Sequence, residues 1–429
     1  TSGSQTVNNN SIVTAFNKPG AGGTVTFFLS NGSSTTSVTE TNTGNNFSNV
    51  TLTGTTTLNG WISSDGTSTS PYGPTKTITN NTFSNITVGT GAMTILTVAF
   101  SNLNGTNIVS GNTISNVSGA GTIVGITSST GTQTFRGNLI TGLSSSGASA
   151  VSGISITGTS AFETIEKNTI CDLSGSNASS TVNGILISAA ATVTLSNNRI
   201  GDLRTPAANA ANPLIGINIT GGTTVNAYFN TVYINGTSSG ALFGSSAISA
   251  SSTTNLTLNN NIFVNTSTPV AATGFTTAYR RSGPLTTTNY ISTSNNNLFY
   301  AGTPGVNNLI HYDGTNSFQT LASYKAMTSP ITLAPRDASS VTENPPFLST
   351  TCGNANFLKV NTTIATGVES GGANIAGITD DFENDIRQGN AGYVGAGTKP
   401  DIGADEFNGT PLPLCTGTPA ASTISGAAA

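Results

Sequence analysis

The sequence predicts an all-β chain wound as a parallel β-helix. Three observations carry this expectation: a residue supply rich in strand and turn formers, a unit that recurs about every thirty residues, and a fixed offset between asparagine and apolar positions inside each unit. Thr, Val, Ile and Phe favour strands, while Gly, Asn and Ser supply turns that accept left-handed backbone. Only 7% of the 429 residues are charged, whereas 35% are hydrophobic. A disordered Ser/Thr/Gly tract would lack the bulky apolar residues that recur throughout this chain, so a core can form.

The stretch NNTFSNI at 80–86 shows the unit, with NNFSNV before it at 45–50 and NTISNV after it at 112–117. Aligned on its asparagine, the ladder reads Asn45, Asn81, Asn112, Asn138, Asn168, Asn198, Asn230, Asn260 or Asn261, and Asn296. An apolar residue stands two places after the asparagine (Phe83, Ile114, Ile140, Ile170, Ile200, Val232) and another three places before it (Ile78, Val109, Phe135, Ile165, Leu195, Ala227). Further upstream a small residue opens a second apolar block: GITS at 125, GISI at 153, GILI at 184, GINI at 216 and AISA at 247. Each unit therefore holds two or three short strands. A sandwich of hairpins has no reason to repeat one pattern this often. In a parallel β-helix, equivalent residues stack about 4.8 Å apart and like lies on like. Asparagine is expected at a coil corner, because it accepts left-handed geometry and its amide can bond the amides above and below.

The regular coils are expected over 45–300, behind an entry strand and cap over 1–44. From 301 to 407, Pro304, Pro330, Pro335, Pro345 and Pro346 interrupt the pattern, which suits an irregular cap over the last open coil. Residues 408–429 read as a linker into a following module. The chain starts at Thr1 without Met, which reads as a mature or trimmed piece whose leader has gone. The net charge is −4 with a pI near 4.9 and no Lys/Arg block, so a nucleic-acid partner is not expected. No apolar stretch approaches the ~20 residues of a membrane span. Three cysteines make an odd count. Cys171 reads as a buried or half-buried free thiol, and Cys352 and Cys415 could pair, with Cys415 equally assignable to the next module.

With so few ionisable residues, each can be weighed. Arg136 and Glu166 both sit two before their ladder asparagine, so they should stack one coil apart and could form an ion pair. Asp172 and Asp202 both sit four after theirs. Two carboxylates one coil apart could serve as an acid and base on a polysaccharide, while Arg204 beside them suits a solvated turn. Tyr279, Arg280, Arg281 and Tyr300 are candidates for a sugar-stacking surface, against the simpler reading that they pack a cap. Asp381, Glu383 and Asp385 alternate as Ca2+ ligands can; the competing reading pairs Arg387 with Asp401 or Asp405. His311, without a second His or Cys at ligand spacing, reads as a loop residue.

The block DDFENDIRQG at 380–389, followed by PDIGADEF at 400–407 and preceded by NPPFLSTTCGNANFLKV at 344–360, resembles the closing motif of secreted right-handed parallel β-helix proteins of the Bacteroidetes. That motif reads Asp-x-Asp-Gly-x-x-Arg … Asp-Ile-Gly-Ala-x-Glu-aromatic; here Glu383 and Asn384 stand in for its Asp-Gly pair. The resemblance spans roughly 40–407. It implies right-handed winding, about nine to ten coils by the repeat, a cell-surface location, and export by the type IX route that reads a C-terminal signal. The expectation is an extracellular structural or adhesive module of a larger surface protein, binding glycans or surfaces or serving as a rigid spacer. Its partners would be further modules of the same polypeptide and an extracellular glycan, with Ca2+ the one candidate cofactor. The alternative is a polysaccharide lyase or hydrolase working in a groove along the coils, although no coil supplies the set of Ca2+-binding carboxylates with a basic residue that lyases of this fold combine. Ice binding by flat threonine arrays is weaker still, because the coils lack a strict Thr-x-Thr register.

Overall fold

The computed structural model describes residues 3–31, 38–65, 73–100, 107–270 and 274–413, the side chains of residues 160 and 161 excepted. Cys415 and most of the expected linker therefore lie outside the described residues.

The strands stack in parallel into a β-solenoid of about nine turns, with three strands to a coil. In the coil of Asn198, Thr192–Ser196 precedes the asparagine, Arg199–Arg204 follows it, and Leu214–Ile219 completes the turn. Each pairs in register with its counterpart one coil on: Thr224–Tyr228, Thr231–Ile234 and Ser245–Ala250. We call the three resulting walls the pre-Asn, post-Asn and Gly faces, the last carrying the GITS-type blocks. Two long strands, Ile123–Arg136 and Ala150–Glu166, continue from the Gly face into the pre-Asn face and join them into one 18-stranded sheet.

The column of asparagines runs Asn10, Asn45, Asn81, Asn112, Asn138, Asn168, Asn198, Asn230, Asn261 and Asn297. Asn261 is thus the member at the position left open, and Asn297, not Asn296, is the last. At Asn168 the amide oxygen accepts from the backbone N–H of Asn138 at 3.0 Å and from its Nδ2 at 2.9 Å. Its own Nδ2 donates to Asn198 Oδ1 and to the carbonyl of Phe135, each at 2.9 Å. Both lone pairs and both N–H groups of a buried amide are used, coil after coil.

The left-handed corner lies one residue earlier than expected. Gly44, Asn80, Gly111, Gly137, Lys167, Asn197, Phe229, Asn260 and Asn296 all have φ between 55° and 70°. This turn swings the next residue inward as the ladder member and leaves its own side chain outside. A second left-handed column sits four after the ladder at Asn49, Asn85, Asn116, Gly142, Asp172 and Asp202. That bulge lets Phe83 and Ile86, three apart in sequence, both point into the core, where each is fully buried.

Like stacks on like inside. One column runs Phe47, Phe83, Ile114, Ile140, Ile170, Ile200, Val232, Phe263 and Phe299. Another runs Leu96, Ile126, Ile154, Ile185, Ile217, Ile248, Tyr279 and His311. His311 is therefore not a loop residue: it lies in strand Asn308–Tyr312, fully buried, its ring 4.9 Å from those of Tyr279 and Tyr324. The glycines of the second face pack against the isoleucine column; a Cβ on Gly184 would come 2.5 Å from Ile200 Cγ2 and 2.6 Å from the carbonyl of Gly216.

One inward column is polar in its first half: Glu40, Lys76, Asn107, Gln133 and Glu163, giving way to Val193, Val225 and Leu256. Lys76 is wholly buried, 3.3 Å from Glu40 and 2.9 Å from Asp65. Glu163 accepts from Ser128 and Gln133, and burial pushes its carboxyl up to about 8.

Residues 317–340 fold over the far end. Helix Leu321–Lys325 buries Leu321 and Tyr324. Ser340 accepts the backbone N–H of Asn297 at 2.9 Å and Asp337 accepts its Nδ2 at 3.1 Å, so these two side chains terminate the asparagine column.

Two outcomes follow. Asn168→Ala strands the donors of Asn138 and the Phe135 carbonyl, and should lower stability by about 3 kcal/mol or more, read from urea unfolding. Glu163 keeps its proton in the folded state up to about pH 8, whereas the unfolded chain releases it near 4.5. The unfolded state then binds fewer protons across that window, so stability falls as pH rises from about 4.5 to about 8. Glu163→Gln should flatten that part of the urea-midpoint profile and raise stability at its alkaline end.

Candidate functional site

The carboxylate pair expected in the coils forms, but both members are engaged. Asp172 and Asp202 occupy the outer bulge of adjacent coils, and Arg204 binds both of them through its two terminal nitrogens. These two contacts raise the guanidinium, against the lowering effect of burial, which is the larger single cause. Arg136 and Glu166 pair at 2.6 Å as their register dictates.

The four candidate sugar-stacking residues do not share a surface. Tyr279 and Arg281 are core residues on the Gly face, Tyr279 fully buried and Arg281 donating to the carbonyls of Thr254 and Asn289. Arg280 faces outward and lies over the ring of Tyr312, 5.0 Å from its centroid. Tyr300 belongs to the post-Asn face, half-buried against a separate cluster containing Val360, Val368 and Ile402.

That cluster marks the feature sequence reasoning missed. Residues 341–412 do not continue the cap over the open end. They run back along the outside of the solenoid, from the coil of Asn297 towards that of Asn138, and bind the left-handed column residue by residue. Asn296 donates to the Gly371 carbonyl at 2.9 Å, and Asn260 exchanges two hydrogen bonds with Ala373. Arg387 lies 3.9 Å over the Phe229 ring and donates to Asn197 Oδ1 at 2.8 Å. Lys167 pairs with Asp380 at 2.7 Å and donates to Asn384 at 2.9 Å. Arg199, on the post-Asn face, pairs with Glu383 at 3.0 Å under the Phe382 ring.

A disulfide fastens this clasp. Cys171 bonds Cys352, their Cα atoms 5.7 Å apart, which corrects the free thiol expected at 171 and decides the open question of Cys352 against a bond to Cys415. Cys171 is buried outside the coil wall, in a cluster with Phe357 and Leu358. Small outward residues make room there: a Cβ on Gly201 would come 3.2 Å from Phe357.

The acidic residues of the clasp mostly fold their own backbone. Asp381 accepts from the amides of Asp385 and Glu406, each at 2.8 Å, and Asp401 from those of Ser370 and Phe407. Glu406 accepts from Arg387 at 3.1 Å and from two amides. Arg387 therefore pairs with Glu406, not with Asp401 or Asp405. Burial raises Asp381 to about 6, and it raises Asp405 and, with repulsion from Glu406, Asp401 to about 7 and about 9. Of the proposed metal ligands, Asp385 is exposed and apart; the carboxylates whose oxygens gather within 4.8 Å are Asp381, Glu383 and Asp405. Arg199 and Lys359 already bring two cations to Glu383, at 3.0 and 3.1 Å.

No family model, no curated protein and no solved structure matches this chain.

Arg387→Met should leave Glu406 buried without its cation and cost about 3–5 kcal/mol. The measurable outcome is a lower urea midpoint together with earlier proteolytic cleavage inside 341–412.

Proposed function

We propose that the chain is an extracellular structural and adhesive module of a larger bacterial surface protein, of the kind its closing motif resembles in the Bacteroidetes. The observation that carries this reading is the outward surface of the pre-Asn face. Thr6, Thr41, Thr77, Ile108, Thr134, Thr164, Thr194 and Asn226 stand in one register column, uncharged from end to end, which closes on the buried Thr257. A second column holds Thr132, Phe162, Thr192, Thr224 and Asn255. Threonine side chains are stiff about χ1 and each offers a hydroxyl, so a row of them supplies many weak, equivalent contacts to a repeating glycan. The interruptions at Ile108 and Phe162 weigh against ice as the surface recognised.

The disulfide supports an oxidising, extracytoplasmic location. No helix among the described residues is long and apolar enough to cross a membrane. Most charged side chains of the coils are spent on ion pairs and on the clasp, and Glu163, Arg280 and Arg281 are engaged by hydrogen bonds or ring stacking instead, which supports binding over turnover. Export by the type IX route, Ca2+ as a folding aid and linkage to further modules belong to the same reading.

The test sets retention of the full chain on glycan-coated surfaces beside an assay for new reducing ends or unsaturated products. Retention without turnover is the expected result. Turnover that Asp172→Asn or Asp202→Asn abolishes would replace this reading with a polysaccharide-degrading enzyme.

A further inference from the structure

The clasp carries a cleft of about 550 Å3 between residues 348–362, 384–394 and 405–408. Its mouth is apolar, with Leu348, Ile386 and Val394 exposed, Val394 at 93%. Tyr393 and Phe407 add ring surface to the walls. The polar lining holds three carboxylates beside the hydroxyl of Thr362 and the amides of Asn384 and Asn408. Asp385 is exposed, and its carboxylate has no partner among the described residues. Asp405 has one oxygen on the Val360 amide at 3.0 Å. Glu406 is held by Arg387 and two amides. The one cation among the lining residues, Lys359, is committed to Glu383.

A ligand for this cleft must bring hydrogen-bond donors and present C–H faces to the rings and aliphatic side chains. It must not bring negative charge against the exposed Asp385 carboxylate, which has no cation beside it among the described residues. A pyranose satisfies the first two conditions, with hydroxyls at its edge and C–H groups on its faces, and the volume lies in the range of small-ligand sites. We infer that this cleft binds a neutral or amino-bearing saccharide, with Asp385 and Asp405 accepting from its hydroxyl or ammonium groups and Tyr393 covering a ring face, and that it turns away uronic and sulfated glycans. The inference rests on the adhesive reading and gives it a localised saccharide site distinct from the threonine face.

The experiment immobilises the full chain and measures binding of a chitosan oligosaccharide, a neutral gluco-oligosaccharide, a polyuronate and a sulfated galactan. The first two should be retained and the last two should not. Asp385→Ala and Tyr393→Ala should each weaken retention about ten-fold, the scale of one lost charge-assisted hydrogen bond or stacking contact, while Leu242→Ala on a distant surface leaves it unchanged. Asp385 holds the clasp through its backbone, its N–H donating to Asp381 Oδ1 and its carbonyl accepting from the Asp381 N–H, so Asp385→Ala removes the carboxylate and leaves those bonds in place. Equal binding of the polyuronate would overturn the inference, as would capture of a lysine-rich peptide in place of any saccharide. Saccharide binding that survives both cleft substitutions would refute the cleft and leave the threonine face as the adhesive surface. Retention on no glycan at all would refute the adhesive reading with it.

Discussion

Everything in this chain is arranged around the buried asparagine column. A coil of roughly thirty residues with short strands has little to hold it in register, since sliding by one residue turns every core side chain outward. The amide column removes that freedom. Each asparagine accepts two hydrogen bonds from the coil before and donates to the coil after, so a slipped coil would leave several buried polar groups unpaired at about 1–3 kcal/mol each. The column also needs terminating, and Ser340 and Asp337 do this at the far end by supplying the acceptors that a further asparagine would have offered.

The same geometry explains why the clasp lies where it does. The left-handed residue before each ladder member sends its side chain outside, and from the coil of Asn168 onward those side chains include Lys167, Asn197, Asn260 and Asn296, which can hydrogen-bond a passing chain. The clasp reads them one coil at a time. It also covers the post-Asn wall, where Thr141, Cys171 and Gly201 are small enough to admit Phe357 and Leu358. The bond from Cys171 to Cys352 then closes a loop, 181 residues in sequence separation, around the last coils of the solenoid and the cap, which restricts the unfolded chain as well as tying the folded one.

Charge is used sparingly and locally. In the coils the ionic groups serve stacking, as in Arg204 over Asp172 and Asp202, or the polar half of the interior column. In the clasp, acids with raised affinity for protons are tolerated because each accepts backbone amides that would otherwise be buried without partners. Function then falls to the surfaces that such a framework leaves free: rows of uncharged hydroxyls on one face, and the acceptor-lined cleft in the clasp.

The repeat, its make-up of two or three short strands, the inward positions such as Phe83 and Ile165, and the stacking of Arg136 with Glu166 were legible in the sequence, because a solenoid writes each contact as a fixed offset repeated many times. Asn261 against Asn260, Asn297 against Asn296, and the left-handed site one residue earlier escaped it, since neighbouring asparagines look alike until a backbone dihedral separates them. The burial of His311 was also hidden, since a lone polar ring reads as a loop residue, and for Tyr279 and Arg281 the sequence leaves packing and a sugar-stacking surface side by side, although each continues a core column. The clasp left no periodic trace. Its contacts join Lys167 to Asp380, Arg387 to Asn197 and Cys171 to Cys352, pairs separated by more than 180 residues. The local pattern of one sequence encodes the coil because the coil's neighbours are its own repeats. Only tertiary structure decides where an irregular segment docks, because that depends on which side chains the finished solenoid has turned outward.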